Sequence, residues 1–237
     1  MESIKEIINT CITDFADNGD VFSNEAQFQF ALAWKLKEKL TKETTEDVKI
    51  LLEHLVICED KKYYIDILAR VGEDLFPIEL KYKTPEKPTG KQKPAQYREN
   101  LNAFQYGDQY VFPQGAEDEG SYYFLKDVER LEKLKVTNSV FLPGTIKKGY
   151  AVLLTNSEKY WKGPQREGAF WAAFSLKQGR RIGEKEELCW GGTKSSNPQK
   201  WGGVQFAHPY SCCWLPKSDK LPSGLNLPFR YLLWEIG

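Results

Sequence analysis

The stretch "YYIDILARVGEDLFPIELKYKT", residues 63–84, decides the architecture. Two apolar runs, 63–71 and 75–82, lie either side of a "GED" break and read as strands of one hairpin. A carboxylate interrupts each run: Asp66 between Ile65 and Ile67, and Glu79 between Ile78 and Leu80. Burying a carboxylate is costly unless it is paired or holds a metal. Side chains alternate along a strand, so Glu79 and Lys81 share one face while Ile78 and Leu80 take the other. If Gly72 and Glu73 form a two-residue turn, with glycine suited to its first position, Val71 faces Asp74 and Asp66 faces Glu79. A four-residue loop gives the same pairing; a three-residue loop shifts it by one. In the even registers the two carboxylates carry Cβ atoms roughly 4.5 to 5.5 Å apart, and like charges so placed destabilise a sheet. A shared proton, a cation or a nearby ammonium must offset that repulsion. Oxygen ligands at this separation suit a hard divalent ion such as Mg²⁺. Lys81, one pleat along, can hold a water or stabilise developing negative charge.

The flanking sequence extends the hairpin into a sheet. "SNEAQFQFALAWKLKEKL" (23–40) offers Ser23 as an N-cap, and Phe28, Leu32, Leu36 and Leu40 recur every four residues. The spacing predicts an amphipathic helix over 24–40. "VKILLEHLVI" (48–57) reads as a buried strand, and so does "GYAVLLTN" (149–156). "AQYRENLNAFQYGDQ" (95–109) and "YFLKDVERLEKLK" (123–135) read as helices. The prolines and glycine of 85–94 predict a loop. Pro77 removes a ladder donor and belongs near a strand start or at an irregularity. Beyond Asn156 lie six of the seven tryptophans, with many Gly and Pro. There "AFWAAFSL" (169–176) and "RYLLWEI" (230–236) read as strands, and 177–228 reads as loop holding short strands. The expected division is a core over 1–156 and an aromatic-rich extension over 157–237, packed on the same domain.

Asp66, twelve residues and then Glu79-Leu80-Lys81 resembles the motif of the PD-(D/E)xK nuclease superfamily. The order helix, three strands, helix, strand over residues 23–156 is similar to that family's core. Ile65 stands where the family often has proline. The resemblance implies an α/β fold with a mixed sheet flanked by helices, restriction-endonuclease-like. It also implies metal-dependent phosphodiester hydrolysis. Asp66 and Glu79 would bind Mg²⁺, for which Mn²⁺ can substitute, with the backbone carbonyl of Leu80 as a further ligand. Lys81 would orient or activate the attacking water. Family members often add a glutamate from the first helix. Glu25, three and seven residues before Phe28 and Leu32, fits that place as a catalytic residue, with any contact to the metal through water.

Charge supports a polyanionic substrate locally rather than globally. The chain has 237 residues, with 33 basic and 33 acidic side chains, a balance that counts against a dedicated nucleic-acid coat or packaging protein. From Lys81 to Arg98 there are nevertheless six basic residues and one acid, Glu86. Lys83, Lys87, Lys91, Lys93 and Arg98 are therefore the expected nucleic-acid contacts, DNA being favoured. A homodimer is compatible with cutting both strands of a duplex. The alternative is a non-catalytic nucleic-acid or protein binding module on the same fold. A third reading, an interaction protein built on the aromatic C-terminal part, predicts exposed tryptophan patches.

Other residues are minor candidates or have a structural reading. Glu53 could aim at the acidic face, and Gln105 with Gln109 could join the site from a helix. Asp127, Arg130 and Glu132 read as surface pairs. Trp190 and Trp201 could touch a base. Cys189, His208, Cys212 and Cys213 lack zinc-site spacing, and "GGTKSS" (191–196) lacks the spacing of a phosphate loop. Two histidines leave little for a Ser-His-Asp hydrolase. Five cysteines, an odd number, suit a reducing cytoplasm. No apolar run approaches membrane-spanning length. The acidic start "MESIKEIINT" has no secretory layout.

Overall fold

The computed structural model describes residues 2–59, 61–84, 95, 97–106, 108–136, 142, 144–166, 168–191, 201–216 and 229–237. Its helices are α1 (Ile4–Asp17), α2 (Glu25–Glu43), α3 (Glu117–Val136) and the short α4 (Glu158–Lys162). The longer strands are β1 (Val48–Cys58), β2 (Lys61–Val71) and β3 (Asp74–Lys83). A small antiparallel sheet follows: β4 (Tyr97–Arg98), β5 (Ala103–Tyr106) and β6 (Gln109–Val111). Then come β7 (Thr145–Ile146), β8 (Gly149–Thr155), β9 (Arg181–Ile182), β10 (Glu187–Leu188), β11 (Val204–Gln205), β12 (Tyr210–Ser211), β13 (Leu215–Pro216) and β14 (Arg230–Ile236).

The principal sheet is mixed and runs β1-β2-β3-β8-β14-β13, with β7 beside β3. β1, β2 and β3 are antiparallel, β3 and β8 parallel, and β14 antiparallel to β8. β14 thus brings the C-terminal segment into the principal sheet. α1 and α2 cover one face; α3 and the segments after Asn156 cover the other. No helix of the described residues is long and apolar enough to cross a membrane.

The hairpin has the two-residue turn. Val71 faces Asp74 across Gly72 and Glu73, and Gly72 takes the positive φ, +59°, that the turn requires. Pro77 sits where β3 changes neighbours. Leu75 pairs with Ile146 of β7, and pairing with β8 begins at Ile78. Phe28, Leu32, Leu36 and Leu40 of α2 are fully buried, each burial worth about 1.5–3 kcal/mol.

Several expectations are corrected. The N-cap of α2 is Asn24, whose side chain accepts from Gln27 N at 2.8 Å; Ser23 instead donates its N–H to Gln27 Oε1. β1 is a half-exposed edge strand, not a buried one. In place of the α-helix expected over 95–109, residues 97–98, 103–106 and 109–111 form short strands, with a 3₁₀ turn at 99–101. Asn102 adopts the left-handed conformation, φ 48°, and turns the chain so that Tyr97 faces Phe104. Residues 169–176 make turns and a 3₁₀ segment at 172–174, closed by local bonds such as Phe174 N to Trp171 O. α1 was not anticipated. It buries Ile4, Ile7, Ile8, Cys11, Ile12 and Phe15.

Candidate functional site

The site is a fork in the sheet. The β2–β3 ladder runs from Val71↔Asp74 to Ile67↔Ile78 and ends there, one step short of Asp66 and Glu79. Beyond it, β3 stays paired with β8 as far as Lys83↔Thr155. The cause lies one strand away. β1 and β2 pair on either side of Glu53 and Asp66, at Leu52↔Ile67 and His54↔Ile65, and both strands exchange faces there. Ile67, Ala69 and Val71 pack beneath α2, whereas Tyr63 and Ile65 pack on the α3 side. Glu53 absorbs the reversal with φ 48°, a left-handed conformation uncommon for a non-glycine residue.

Divergence of β2 frees backbone N–H groups on that edge of β3, and carboxylates take them. Asp66 Oδ2 accepts from Leu80 N at 2.6 Å, and Glu25 Oε2 accepts from Tyr82 N at 2.7 Å. Gln29, one turn after Glu25 on α2, donates to Asp66 O and to Glu53 Oε1, both at 2.7 Å. α2 therefore braces the fork at two levels.

On the α3 face, Glu79 is 2% exposed and lies 2.6 Å from an Arg130 terminal nitrogen, which is also 2.9 Å from Asp127 Oδ1. Lys81 Nζ reaches Asp127 Oδ2 at 2.8 Å and Leu80 O at 2.9 Å, with Glu25 Oε1 at 3.9 Å. Asp127 and Arg130 do form the expected i, i+3 pair, but it is buried and aimed into the site, not spread over the surface. Glu132 is buried too, accepting from Ala207 N, His208 N and Tyr210 OH.

Four carboxylates, Glu25, Asp66, Glu79 and Asp127, thus share two cations, Lys81 and Arg130. When all are ionised, two negative charges are unmatched. Burial pushes Asp66 up to about 6, against pulls from Lys81 and from its bond to Leu80 N. Glu79 is pushed well up, first by burial and then by Asp127, despite Arg130. The upward direction for Glu79 holds beside so close a guanidinium because Asp127 shares it. The surrounding acids hold Lys81 cationic well above the usual lysine range, against burial.

A hard divalent cation is one group that these oxygens could hold. Its two charges match the unmatched pair and the donors are all oxygen, Glu79 Oε1 and Asp127 Oδ2 being buried with only Arg130 and Lys81 beside them. Among the described residues no three His, Cys, Asp or Glu side chains converge as a complete ligand set. Mg²⁺ needs only one or two carboxylates when waters and substrate phosphates supply the rest.

None of the known families, curated proteins or solved structures compared with the chain matches it.

The remaining candidates fall elsewhere. Lys83 follows Lys81 along β3, and its Cε passes 3.5 Å from where a Cβ on Gly120 would lie. Arg98 is engaged within its own hairpin, donating to Gln105 Oε1 and Ala95 O. Lys87, Lys91 and Lys93 lie outside the described residues, as does most of "GGTKSS". Gln105 and Gln109 stand on β5 and β6, not one turn apart on a helix. Trp190 is buried among Phe174, Tyr122, Phe170 and Trp201, so it packs a C-terminal aromatic core.

Sequence reasoning underrated Asp127 and Arg130 and missed Gln29. A signal existed for Asp127. It falls inside the buried stripe Phe124, Leu125, Val128 and Leu131, where a solvated acid has no place.

Proposed function

We propose that the chain is a metal-dependent nuclease of the PD-(D/E)xK type, hydrolysing phosphodiester bonds, with DNA as the favoured substrate. One observation carries this reading: Asp66, Glu79, Lys81 and Glu25 gather where β3 parts from β2, with two negative charges left over. Asp66 and Glu79 would hold Mg²⁺ or Mn²⁺, with the Leu80 carbonyl and Glu25 as the further groups that would assist. A bound ion supplies Lewis acidity at the phosphate and a more acidic water.

The protein groups have separable tasks. Asp66 is ionised above about pH 6 and then offers a full charge to the ion. Lys81 keeps its proton across the working range, because three acids stabilise its charge. It therefore donates rather than accepts: Nζ orients a water or binds a phosphoryl oxygen as charge builds there. Glu25 and Gln29 hold the fork open by replacing the strand contacts that β2 gives up.

The binding-module reading has its own supporting observation. Arg130 on Glu79 and Lys81 on Asp127 close the acidic cluster with ion pairs. The deciding experiment incubates plasmid and single-stranded DNA with Mg²⁺ or Mn²⁺, comparing wild type with Glu79→Ala and Lys81→Ala. Metal-dependent cleavage lost in both variants supports the nuclease. Cleavage that survives both removes the site assignment, and DNA retention without cleavage in wild type favours the binding module.

A further inference from the structure

We propose that Arg130 is a substrate-binding residue of this site, which leaves Glu79 when a divalent cation is bound and turns its guanidinium to a phosphoryl oxygen. The inference rests on the nuclease reading and adds a residue that the hairpin motif does not contain.

Three observations on Arg130 converge. Its terminal nitrogen sits 2.6 Å from Glu79 Oε1, yet Glu79 Oε1 has no partner in hydrogen-bonding geometry. That nitrogen is shared with Asp127 Oδ1 at 2.9 Å, so a divalent ion would give Glu79 a partner of its own. Next, Arg130 Nε is buried with no acceptor at all. A buried donor left unmade is costly, and it marks a place where an acceptor oxygen belongs. Finally, the guanidinium has two other anchors, Asp127 Oδ1 at 2.9 Å and the face of Tyr63, 5.1 Å from the ring centroid. These hold Arg130 in place after Glu79 is given up.

The chemistry of the exchange follows from shape. An arginine fork presents parallel N–H groups that match two oxygens of a phosphate, which a lysine cannot do. Arg130 is 20% exposed, enough for a backbone oxygen to reach it without leaving the charge in open water. In the substrate-free protein the same fork neutralises Glu79. Arg130 and the divalent ion therefore compete for one carboxylate, and they stop competing once phosphate supplies Arg130 with a new partner.

The test is calorimetric titration of the full chain with Mn²⁺ in the absence of nucleic acid, paired with DNA cleavage. Arg130→Gln should bind Mn²⁺ about tenfold more tightly than wild type, the equivalent of about 1.4 kcal/mol. Its cleavage rate should fall about a hundredfold, as when one charge-stabilising donor is removed. Arg130→Lys keeps the charge and loses the fork, so Mn²⁺ affinity should stay near wild type while cleavage still falls. Wild type that binds and cleaves, with Arg130→Gln unchanged or weaker in Mn²⁺ affinity, overturns the exchange alone. Undiminished cleavage in either variant does the same. Wild type that neither binds Mn²⁺ nor cleaves overturns the nuclease reading, and this inference with it.

Discussion

Replacing Asp66 by asparagine should make the metal-free protein more stable at pH 8, not less. The folded-state pKa of Asp66 is about 6, against an ordinary 3.8. A folded pKa above the unfolded one means that the protein holds that proton more tightly when folded. The associated stability is present below pH 3.8 and is lost as pH rises through about 6. The gap corresponds to about 3 kcal/mol at pH 8. Asparagine carries no charge to desolvate, and its Oδ1 can still accept from Leu80 N, the bond Asp66 makes at 2.6 Å. For a chain of this size about 3 kcal/mol shifts the melting midpoint by roughly 6–12 °C. Thermal melts of wild type and Asp66→Asn at pH 8 and pH 4, with chelator present, read this directly. The gain should appear at pH 8 and vanish at pH 4. A midpoint that falls at pH 8, or rises equally at both, refutes the claim that Asp66 is a desolvated charge held for function.

Three further outcomes follow from the same geometry. Mn²⁺ affinity, measured by calorimetry from pH 5 to pH 8, should rise with pH and keep rising above about 6, because Asp66 and then Glu79, which burial also pushes up, must lose their protons to act as ligands. Glu25→Ala leaves Tyr82 N without its acceptor and should cost about 1–3 kcal/mol in chemical denaturation. Glu132→Ala strands Ala207 N, His208 N and Tyr210 OH together. It should lower stability by about 2–4 kcal/mol and alter near-ultraviolet dichroism from the tryptophan-rich segment, while DNA cleavage by the folded fraction stays at the wild-type rate.

The hairpin of 63–84 was legible because two signals agree: alternation on both sides and a glycine where the turn needs positive φ. α2, α3, β8 and β14 were legible from their apolar periods for the same reason. The buried face of α1, residues 4, 7, 8, 11, 12 and 15, carries a helical period too. The fork was not legible. It depends on two strands exchanging faces together at Glu53 and Asp66, and no propensity encodes a glutamate at φ 48°. The C-terminal third failed differently. Strands of two residues, such as β9 to β13, are too short to show any period, and they are held by packing of Trp190 and Trp214 and by Glu132 on α3, some 75 residues earlier in the chain. Residues 97–111 misled because Asn102, an ordinary polar residue in a helical-looking run, takes the left-handed conformation.

The carboxylates at the fork have a second consequence, for solubility. Where β2 departs, β3 would otherwise offer bare amide hydrogens in mid-sheet, and a bare edge invites an intruding strand from another molecule. Asp66 and Glu25 occupy two of those positions with charged acceptors that no foreign strand can replace in register. Variants lacking both acids, made to test the proposed nuclease, would thus expose a sticky edge as well as lose two candidate ligands. Any loss of activity in them can be ascribed to chemistry only after light scattering has shown them to be free of aggregates.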